Sequence, residues 1–86
     1  MGNIDMKELL LYMVRQLVDN PDEVTVDELP SENAAGVPET TLEVRVAKED
    51  MGKVIGRQGR IAKELRTIMR SAANHADRRV NVEIIG

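Results

Sequence analysis

The sequence predicts a two-layer α+β fold in which helices cover one face of a three-stranded mixed sheet. Apolar residues recur at helical spacing in two segments and alternate with polar residues in three others. The element order is α-β-β-α-α-β, and two helices separate the second strand from the third, a crossover long enough for parallel pairing. At 86 residues the chain can bury one modest core, so a single domain over residues 1–86 is expected.

The first element is predicted to be an amphipathic helix over about residues 4–18. Asp5 is a plausible N-cap, and Asn20-Pro21 is expected to stop the helix. One stripe at helical period is apolar and consists of Met6, Leu9, Leu10, Met13, Val14 and Leu17. Three further apolar residues lie off that stripe and are expected either to be partly exposed or to form a subunit contact: Leu11, Tyr12 and Val18.

Three segments alternate as strands do. Residues 24–29 predict a short strand, and the turn-forming residues of 30–39 predict a loop. Residues 41–47 predict a half-buried strand, because Leu42, Val44 and Val46 would share one face. Residues 79–85 alternate in the same way and predict the closing strand.

Two helices are predicted between the second and third strands, a short one over 49–55 and a long one over about 59–76. At about 100° per residue, one side of the long helix, between about 240° and 360° from its first arginine, holds Arg60, Lys63, Arg66, Thr67 and Arg70. The opposite side is apolar and holds Ile61, Ala62, Leu65, Ile68, Met69, Ala72, Ala73 and Ala76. The long helix is therefore expected to pack through one side and to present positive charge on the other.

The segment between these two helices carries the clearest chemical signal. It reads Val54-Ile55-Gly56-Arg57-Gln58-Gly59-Arg60-Ile61, with two glycines three residues apart. Glycine tolerates positive φ and allows a partner to approach the backbone closely. A helix that begins at the second glycine would also offer free N–H groups, which favour an anion. The chemistry predicted for this turn is contact with phosphate, although a tight helix–helix turn without a ligand would use glycine too.

Charge is distributed unevenly along the chain. Residues 1–50 hold four basic and twelve acidic residues, whereas residues 51–86 hold eight basic and three acidic ones. The net charge of −3 would by itself argue against a polyanionic partner. A local basic face can still bind one, since fields act over a Debye length of roughly 8–10 Å.

The element order, with Ile55-Gly56-Arg57-Gln58-Gly59 between the last two helices, resembles a KH domain of the type II arrangement. The resemblance covers a core of about residues 24–85, and the helix at 4–18 fits the additional N-terminal helix of that type. In this family a Gly-x-x-Gly loop clamps the backbone of about four unpaired nucleotides. The segment from Leu17 to Val24 and the chain length are similar to those of a small stand-alone bacterial KH protein.

The resemblance implies single-stranded RNA binding, in an RNA chaperone or post-transcriptional regulator, and assigns roles to residues of the loop region. Gly56 and Gly59 would shape the loop, and Arg57 and Gln58 would meet phosphates. Charge beside the loop would come from Lys53, Arg60 and Lys63, and an apolar floor under the bases from Ile55 and Ile61. It also implies a homodimer and a possible heterodimer with a second KH-domain protein in bacterial cell growth and division.

Other functions find little support in the sequence. The sequence contains no nucleotide-binding motif, no Ser–His–acid set and no metal-binding cluster. His75 is expected to place a favourable positive charge at a helix end. The sequence therefore predicts no enzyme, no cofactor and no metal. The absence of cysteine, of a signal pattern and of a membrane-length apolar run predicts a cytoplasmic protein.

Two questions remain open on the sequence alone. The chain could instead be a protein–protein adaptor that uses its acidic half and its off-stripe apolar residues. With one tyrosine and no other aromatic residue, RNA binding by one domain is expected to be weak and little selective, so dimerisation would supply avidity. A typical opening of such proteins matches Met6-Lys7-Glu8, which leaves a role for residues 1–5 undecided.

Overall fold

The computed structural model describes residues 5–85, which form three helices and a three-stranded sheet. The helices are α1 (Met6–Arg15), α2 (Met51–Ile55) and α3 (Arg60–His75), and the strands are β1 (Thr25–Glu32), β2 (Pro38–Arg45) and β3 (Val80–Ile85). Short 3₁₀ turns lie at Pro21–Glu23, Lys48–Asp50 and Arg57–Gly59. Strand order is β1-β2-β3, with β1 antiparallel and β3 parallel to β2. The predicted α+β fold class with a mixed sheet is confirmed.

One face of the sheet carries the core. Val26 pairs with Val44, and Leu42 pairs with Val82, so these side chains share a face, and all are buried. Helices α1 and α3 cover this face with the apolar stripes that their sequences predict. Their buried contributions are Met6, Leu10, Leu11 and Val14 from α1, and Ala62, Leu65, Met69 and Ala73 from α3.

The other face of the sheet is acidic, and no helix of residues 5–85 packs on it. Asp27 pairs with Glu43, and Glu43 pairs with Glu83, so three carboxylates lie side by side across the three strands. The guanidinium of Arg45 lies 3.7 Å from the Glu43 carboxylate on the same face. This arrangement gives the molecule an acidic face opposite the helical layer.

The hairpin between β1 and β2 is longer than predicted. Residues 30–32 and 38–39 were expected to be loop, but they continue the strands, with Pro30 paired to Thr40. Proline is tolerated there because β1 is an edge strand, where a missing N–H removes no ladder bond from the sheet interior. The remaining turn is closed by Asn33, whose side-chain Oδ1 accepts the N–H groups of Ala35 and Val37 at 2.9 and 3.0 Å.

Helix α1 is shorter than predicted. The predicted start of the helix at residue 4 lies outside the described residues. So do residues 1–4 of the segment 1–5, whose role the sequence leaves undecided. The predicted N-cap is confirmed, since Asp5 Oδ1 accepts the N–H groups of Lys7 and Glu8 at 3.0 and 3.3 Å. The helix ends at Arg15, because the N–H groups of Gln16 and Leu17 donate three residues back, to Met13 and Val14.

The off-stripe residues of α1 have different environments. Leu11 is buried in the core, so the expected partial exposure is wrong for this residue, whereas Tyr12 is 65% exposed. Val18, beyond the end of the helix, is partly buried against the core. Among the residues that the structure describes, no helix has the length and apolar character needed to cross a bilayer.

Candidate nucleic-acid interface

The glycine motif forms a tight turn between α2 and α3. Gly56 lies at φ 75°, ψ 177°, and its carbonyl accepts the N–H of Gly59 at 3.2 Å, which closes a four-residue turn. Gln58 and Gly59 both adopt left-handed conformations, with φ of 57° and 76°. Left-handed backbone costs a non-glycine residue roughly 1–2 kcal/mol, so Gln58 carries local strain of the kind that concentrates at functional sites.

The two glycines are required for different reasons. A Cβ at Gly56 would lie 2.7 Å from Cγ1 and 3.0 Å from the backbone nitrogen of Ile61. A Cβ at Gly59 would meet nothing within 4 Å, so only its backbone conformation favours glycine. Gly56 therefore allows the loop to pack closely against Ile61 in the first turn of α3. Gly59, by contrast, has open space beside its backbone.

The beginning of α3 is available to an anion. The N–H of Arg60 donates to Arg57 O within the turn. Gly59, the N-cap residue, has no side chain with which to accept the remaining N–H groups of the first turn. Arg57, Gln58 and Arg60 are all exposed around it. The turn thus combines uncapped N–H groups, the positive end of a 16-residue helix and two guanidinium groups.

The two flanks of α3 differ in chemistry. One flank is exposed and basic, and consists of Arg60, Lys63, Arg66 and Arg70. Arg66 Nε donates to the carbonyl oxygen of Val82 at 3.2 Å, which places this flank beside the edge strand β3. We call these four residues the basic flank. It continues the positive charge of the turn along the helix.

The other flank of α3 faces α1 and is apolar. An open groove of about 340 Å³ lies between the two helices and is lined mainly by Tyr12, Met13, Leu17, Ile61, Leu65 and Ile68. Ile61, expected to form part of a floor under the bases, lines this groove. Ile55, expected to form the other part, is 38% exposed at the end of α2.

Lys53 is engaged by two carboxylates. Its Nζ lies 3.1 Å from Asp19 Oδ2 and 3.8 Å from Asp50 Oδ1. The Asp19 hydrogen bond and charge, followed by Asp50, raise the pKa of Lys53 in spite of its desolvation. Within residues 5–85, Lys53 is therefore the basic residue of the predicted site whose charge is balanced by carboxylates.

Asp50 fixes α2 to the segment that follows α1. Its fully buried carboxylate accepts the N–H groups of Asp19 and Asn20 at 3.2 and 3.0 Å, and the side-chain amide of Asn20 at 3.0 Å. Burial raises the pKa of Asp50, but these hydrogen bonds and Lys53 outweigh burial and hold the pKa below its ordinary value. The sequence marks Asp50 only as an acidic residue of a first helical turn, and no local pattern reveals its partners.

Histidine and acidic residues form no metal site in the described part of the chain. No group of three or more His, Cys, Asp or Glu side chains within residues 5–85 is placed to hold an ion. His75 lies in the last turn of α3, where a positive charge is favourable.

Three features together define a KH domain of type II. They are a sheet in the order β1-β2-β3, two helices on one face of that sheet, and a Gly-x-x-Gly turn between α2 and α3. Comparison with known proteins agrees, since residues 7–84 match the family model described as KhpA/KhpB, KH domain. The chain belongs to this KhpA/KhpB family of KH domains.

Three relatives show the extent of the similarity. The RNA-binding protein KhpA of Clostridium acetobutylicum is 52% identical over 80 residues, which are 93% of this chain and 100% of that protein. KhpA of Caldanaerobacter subterraneus subsp. tengcongensis is 49% identical with the same coverage, and KhpA of Treponema pallidum is 47% identical over 92% of each chain.

A solved structure supports the fold. A crystal structure of a variant of Aquifex aeolicus Era bound to GDP and aluminium fluoride superposes with a TM-score of 0.68 at 19% identity. The match covers 92% of this chain but only 29% of the Era chain. This likeness shows a shared domain fold.

Proposed function

We propose that the protein binds single-stranded RNA through the Gly56–Gly59 turn and the basic flank of α3. The observation that carries the proposal is the turn itself, in which uncapped N–H groups and two exposed arginines converge at the start of a 16-residue helix. The names of the KhpA relatives, which call them RNA-binding proteins, support it. The proposed role is that of an RNA chaperone or post-transcriptional regulator in the cytoplasm.

Each residue of the site has a proposed part in binding. Gly56 and Gly59 hold the turn, and Arg57, Gln58 and Arg60 contact phosphates beside the N–H groups. Lys63 continues the contact along the basic flank. The exposed side chain of Ile55 offers an apolar surface to a base, and Ile61 supports the turn from beneath through its contact with Gly56.

Two features of the structure define how the strand would lie and how tightly it would bind. The acidic face formed by Asp27, Glu43 and Glu83 repels phosphate, so the strand is expected on the helical side of the molecule. Lys53 is expected to contribute less than Arg57 because Asp19 and Asp50 already balance its charge. The one tyrosine lies on α1 and leaves the site without an aromatic stacking platform, which predicts weak binding by one domain.

The test is a double substitution that reverses charge at the turn without changing the glycines. Arg57→Asp with Gln58→Asp should abolish retardation of a short single-stranded RNA in a gel-shift assay. Aspartate tolerates the left-handed conformation of position 58, so the fold should survive, as circular dichroism would verify. Wild-type binding should weaken with salt at a slope of roughly −2 to −3 for three or four phosphates.

The chain offers a matched control for this substitution. Arg15-Gln16 is the same dipeptide, exposed at the end of α1. Arg15→Asp with Gln16→Asp makes the same change of charge. It should leave RNA affinity nearly unchanged when the proteins are compared as monomers, because Gln16 also lines the groove between α1 and α3. If the folded turn variant binds RNA as well as the wild type does, or if affinity is insensitive to salt, the proposal is refuted.

The second candidate function is assembly with another KH protein, and the apolar groove between α1 and α3 favours it. Tyr12 and Ile68 are 65% and 48% exposed at this groove, which is unusual for large apolar side chains so close together. We propose a homodimer as its occupant. A two-fold contact there would bring the same apolar residues of both copies together and leave both basic flanks free for RNA.

Oligomeric state tests this second candidate. Ile68→Glu should shift the protein from dimer to monomer in analytical ultracentrifugation, whereas Ser71→Glu, which adds the same charge one turn away, should not. A wild-type protein that stays monomeric at high micromolar concentration would exclude the homodimer. A second KH protein that is captured by the wild type and by the turn variant, but not by Ile68→Glu, would instead favour the adaptor role and the heterodimer.

A further inference from the structure

A second basic site lies at the opposite end of α3 from the glycine turn. A surface cavity of about 200 Å³ is formed where the last turn of α3 meets the beginnings of β2 and β3. Its lining residues are Glu39, Arg70, Asn74, Arg78, Arg79 and Val80. Three of these six carry a guanidinium group, and one is acidic. We call it the arginine cavity.

The guanidinium groups of the arginine cavity form no ion pair within residues 5–85, although Asp77 lines an adjoining cavity with Arg78 and Arg79. Within residues 5–85, none of the three guanidinium groups has a carboxylate oxygen within 4.0 Å, and the side chains donate no hydrogen bond to a protein group. Their behaviour differs from that of Lys53, whose charge two carboxylates balance. Guanidinium groups gathered without partners disfavour one another, and an oxyanion with two or more acceptor oxygens would relieve that repulsion.

The backbone holds this arginine pair in place. Arg78 N–H donates to Ala73 O at 2.7 Å and Asp77 N–H donates to Asn74 O at 3.2 Å, which together make a Schellman end to α3 with Asp77 in the left-handed conformation. Arg79 O in turn accepts the N–H of Thr40 at 3.0 Å. The two arginines therefore project from a fixed corner between helix and sheet, and binding an anion would require little ordering of the backbone.

The arginine cavity continues the basic flank. Arg70 belongs to both, and Arg66 and Lys63 connect it to the turn along the same side of α3. A helix of 16 residues is about 24 Å long, which corresponds to about seven nucleotides at the roughly 3.4 Å spacing of a stacked strand. A strand whose four nucleotides are held at the Gly56–Gly59 turn can thus reach the cavity if it continues for about seven more nucleotides along α3.

We propose that the arginine cavity is a second phosphate-binding site, which takes a backbone phosphate of the same RNA strand several nucleotides away from the turn. Arg78 and Arg79 would contact the phosphate oxygens, with Arg70 and the amide of Asn74 as further donors. Glu39, near the beginning of β2, also lines the cavity, and its carboxylate would disfavour the binding of a second anion there. This inference rests on the proposed function, and it makes binding depend on strand length.

The test compares two RNA lengths and two double variants by fluorescence anisotropy. Arg78→Gln with Arg79→Gln should leave the affinity for a uridine 4-mer unchanged and weaken that for a 12-mer roughly tenfold. Loss of one phosphate contact should also reduce the salt slope for the 12-mer by about 0.7. Each variant is compared with the wild type at the same length, because a longer strand offers more binding registers.

One control separates this inference from general charge effects. Arg15→Gln with Arg45→Gln removes the same charge from α1 and from the acidic face, and it should change neither affinity. If the double variant unfolds, Arg79→Gln alone replaces it and should weaken 12-mer binding about threefold. An unchanged 12-mer affinity in the folded variants, or equal losses for both lengths, overturns the second site. A wild type that binds neither RNA refutes the proposed function itself.

Discussion

Replacement of the two loop glycines by alanine should have unequal effects, although both have φ near 75°. Gly59 has ψ 14°, a left-handed conformation that costs alanine about 1 kcal/mol, and its Cβ would meet no atom within 4 Å. Gly56 has ψ 177°, in a region almost exclusive to glycine that costs roughly 1–3 kcal/mol. Its Cβ would also overlap Ile61 at 2.7 Å, and overpacking adds roughly 1–3 kcal/mol.

The expected loss of unfolding free energy is therefore about 1 kcal/mol for Gly59→Ala and about 4 kcal/mol for Gly56→Ala. For a domain of this size each kcal/mol lowers Tm by roughly 4–8 °C, so the two variants should differ by more than about 10 °C. Thermal and urea unfolding followed by circular dichroism measure the difference. Gly36→Ala is a control for positive φ without steric overlap, with φ 78° and no neighbour within 4 Å, and it should cost less than Gly56→Ala.

Equal losses for Gly56→Ala and Gly59→Ala would refute this reasoning, because the contact with Ile61 would then have no energetic consequence. The effect on RNA binding should be separable from the effect on stability. Gly59→Ala places a methyl group in the open space beside the turn and should weaken RNA binding although the protein stays folded, whereas Gly36→Ala should not.

Three further predictions concern stability. Asp50→Asn should destabilise the protein at neutral pH and make its stability depend less on pH in the acid range. A carboxyl whose pKa is lowered in the folded state stabilises the fold at pH values above its ordinary pKa of 3.8, and this stabilisation is lost as pH falls through the folded-state pKa. A pH profile of stability identical to that of the wild type would contradict this. Gly52→Ala, inside α2 with open space around it, should raise stability by roughly 0.5–1 kcal/mol, and a loss in urea unfolding would contradict it. Glu83→Gln removes the charge opposite Glu43 and should stabilise by roughly 0.2–1 kcal/mol, more at low salt than at high salt; a salt-independent Tm change would contradict it.

The glycine turn and the fold class were predictable because their signals are local. Glycine spacing, helical stripes and strand alternation all lie within a few consecutive residues, and they define α3, the turn and the core face of the sheet. The strand ends were less predictable. Pro30 is a turn signal by itself, and only the position of β1 at the edge of the sheet explains why the strand continues through it.

The electrostatics of the site could not be predicted in the same way, because the partners are distant in the chain. Asp19 and Asp50 are 31 residues apart, yet they meet around Lys53. The sequence therefore groups Lys53 with the free cations of the turn. The sequence shows that Arg78 and Arg79 are positively charged, but it does not show that they lie near Arg70. Their position beside Arg70 depends on the left-handed backbone conformation of Asp77.

The most direct test of RNA binding on the helical side is a titration of the ¹⁵N-labelled protein with a short single-stranded RNA, followed by NMR. Amide shifts should concentrate at Gly56–Arg60 and extend along the basic flank through Lys63, and the amides of Asp27, Glu43 and Glu83 on the acidic face should stay in place. Shifts centred on the acidic face, or confined to the groove between α1 and α3, would contradict the proposed site.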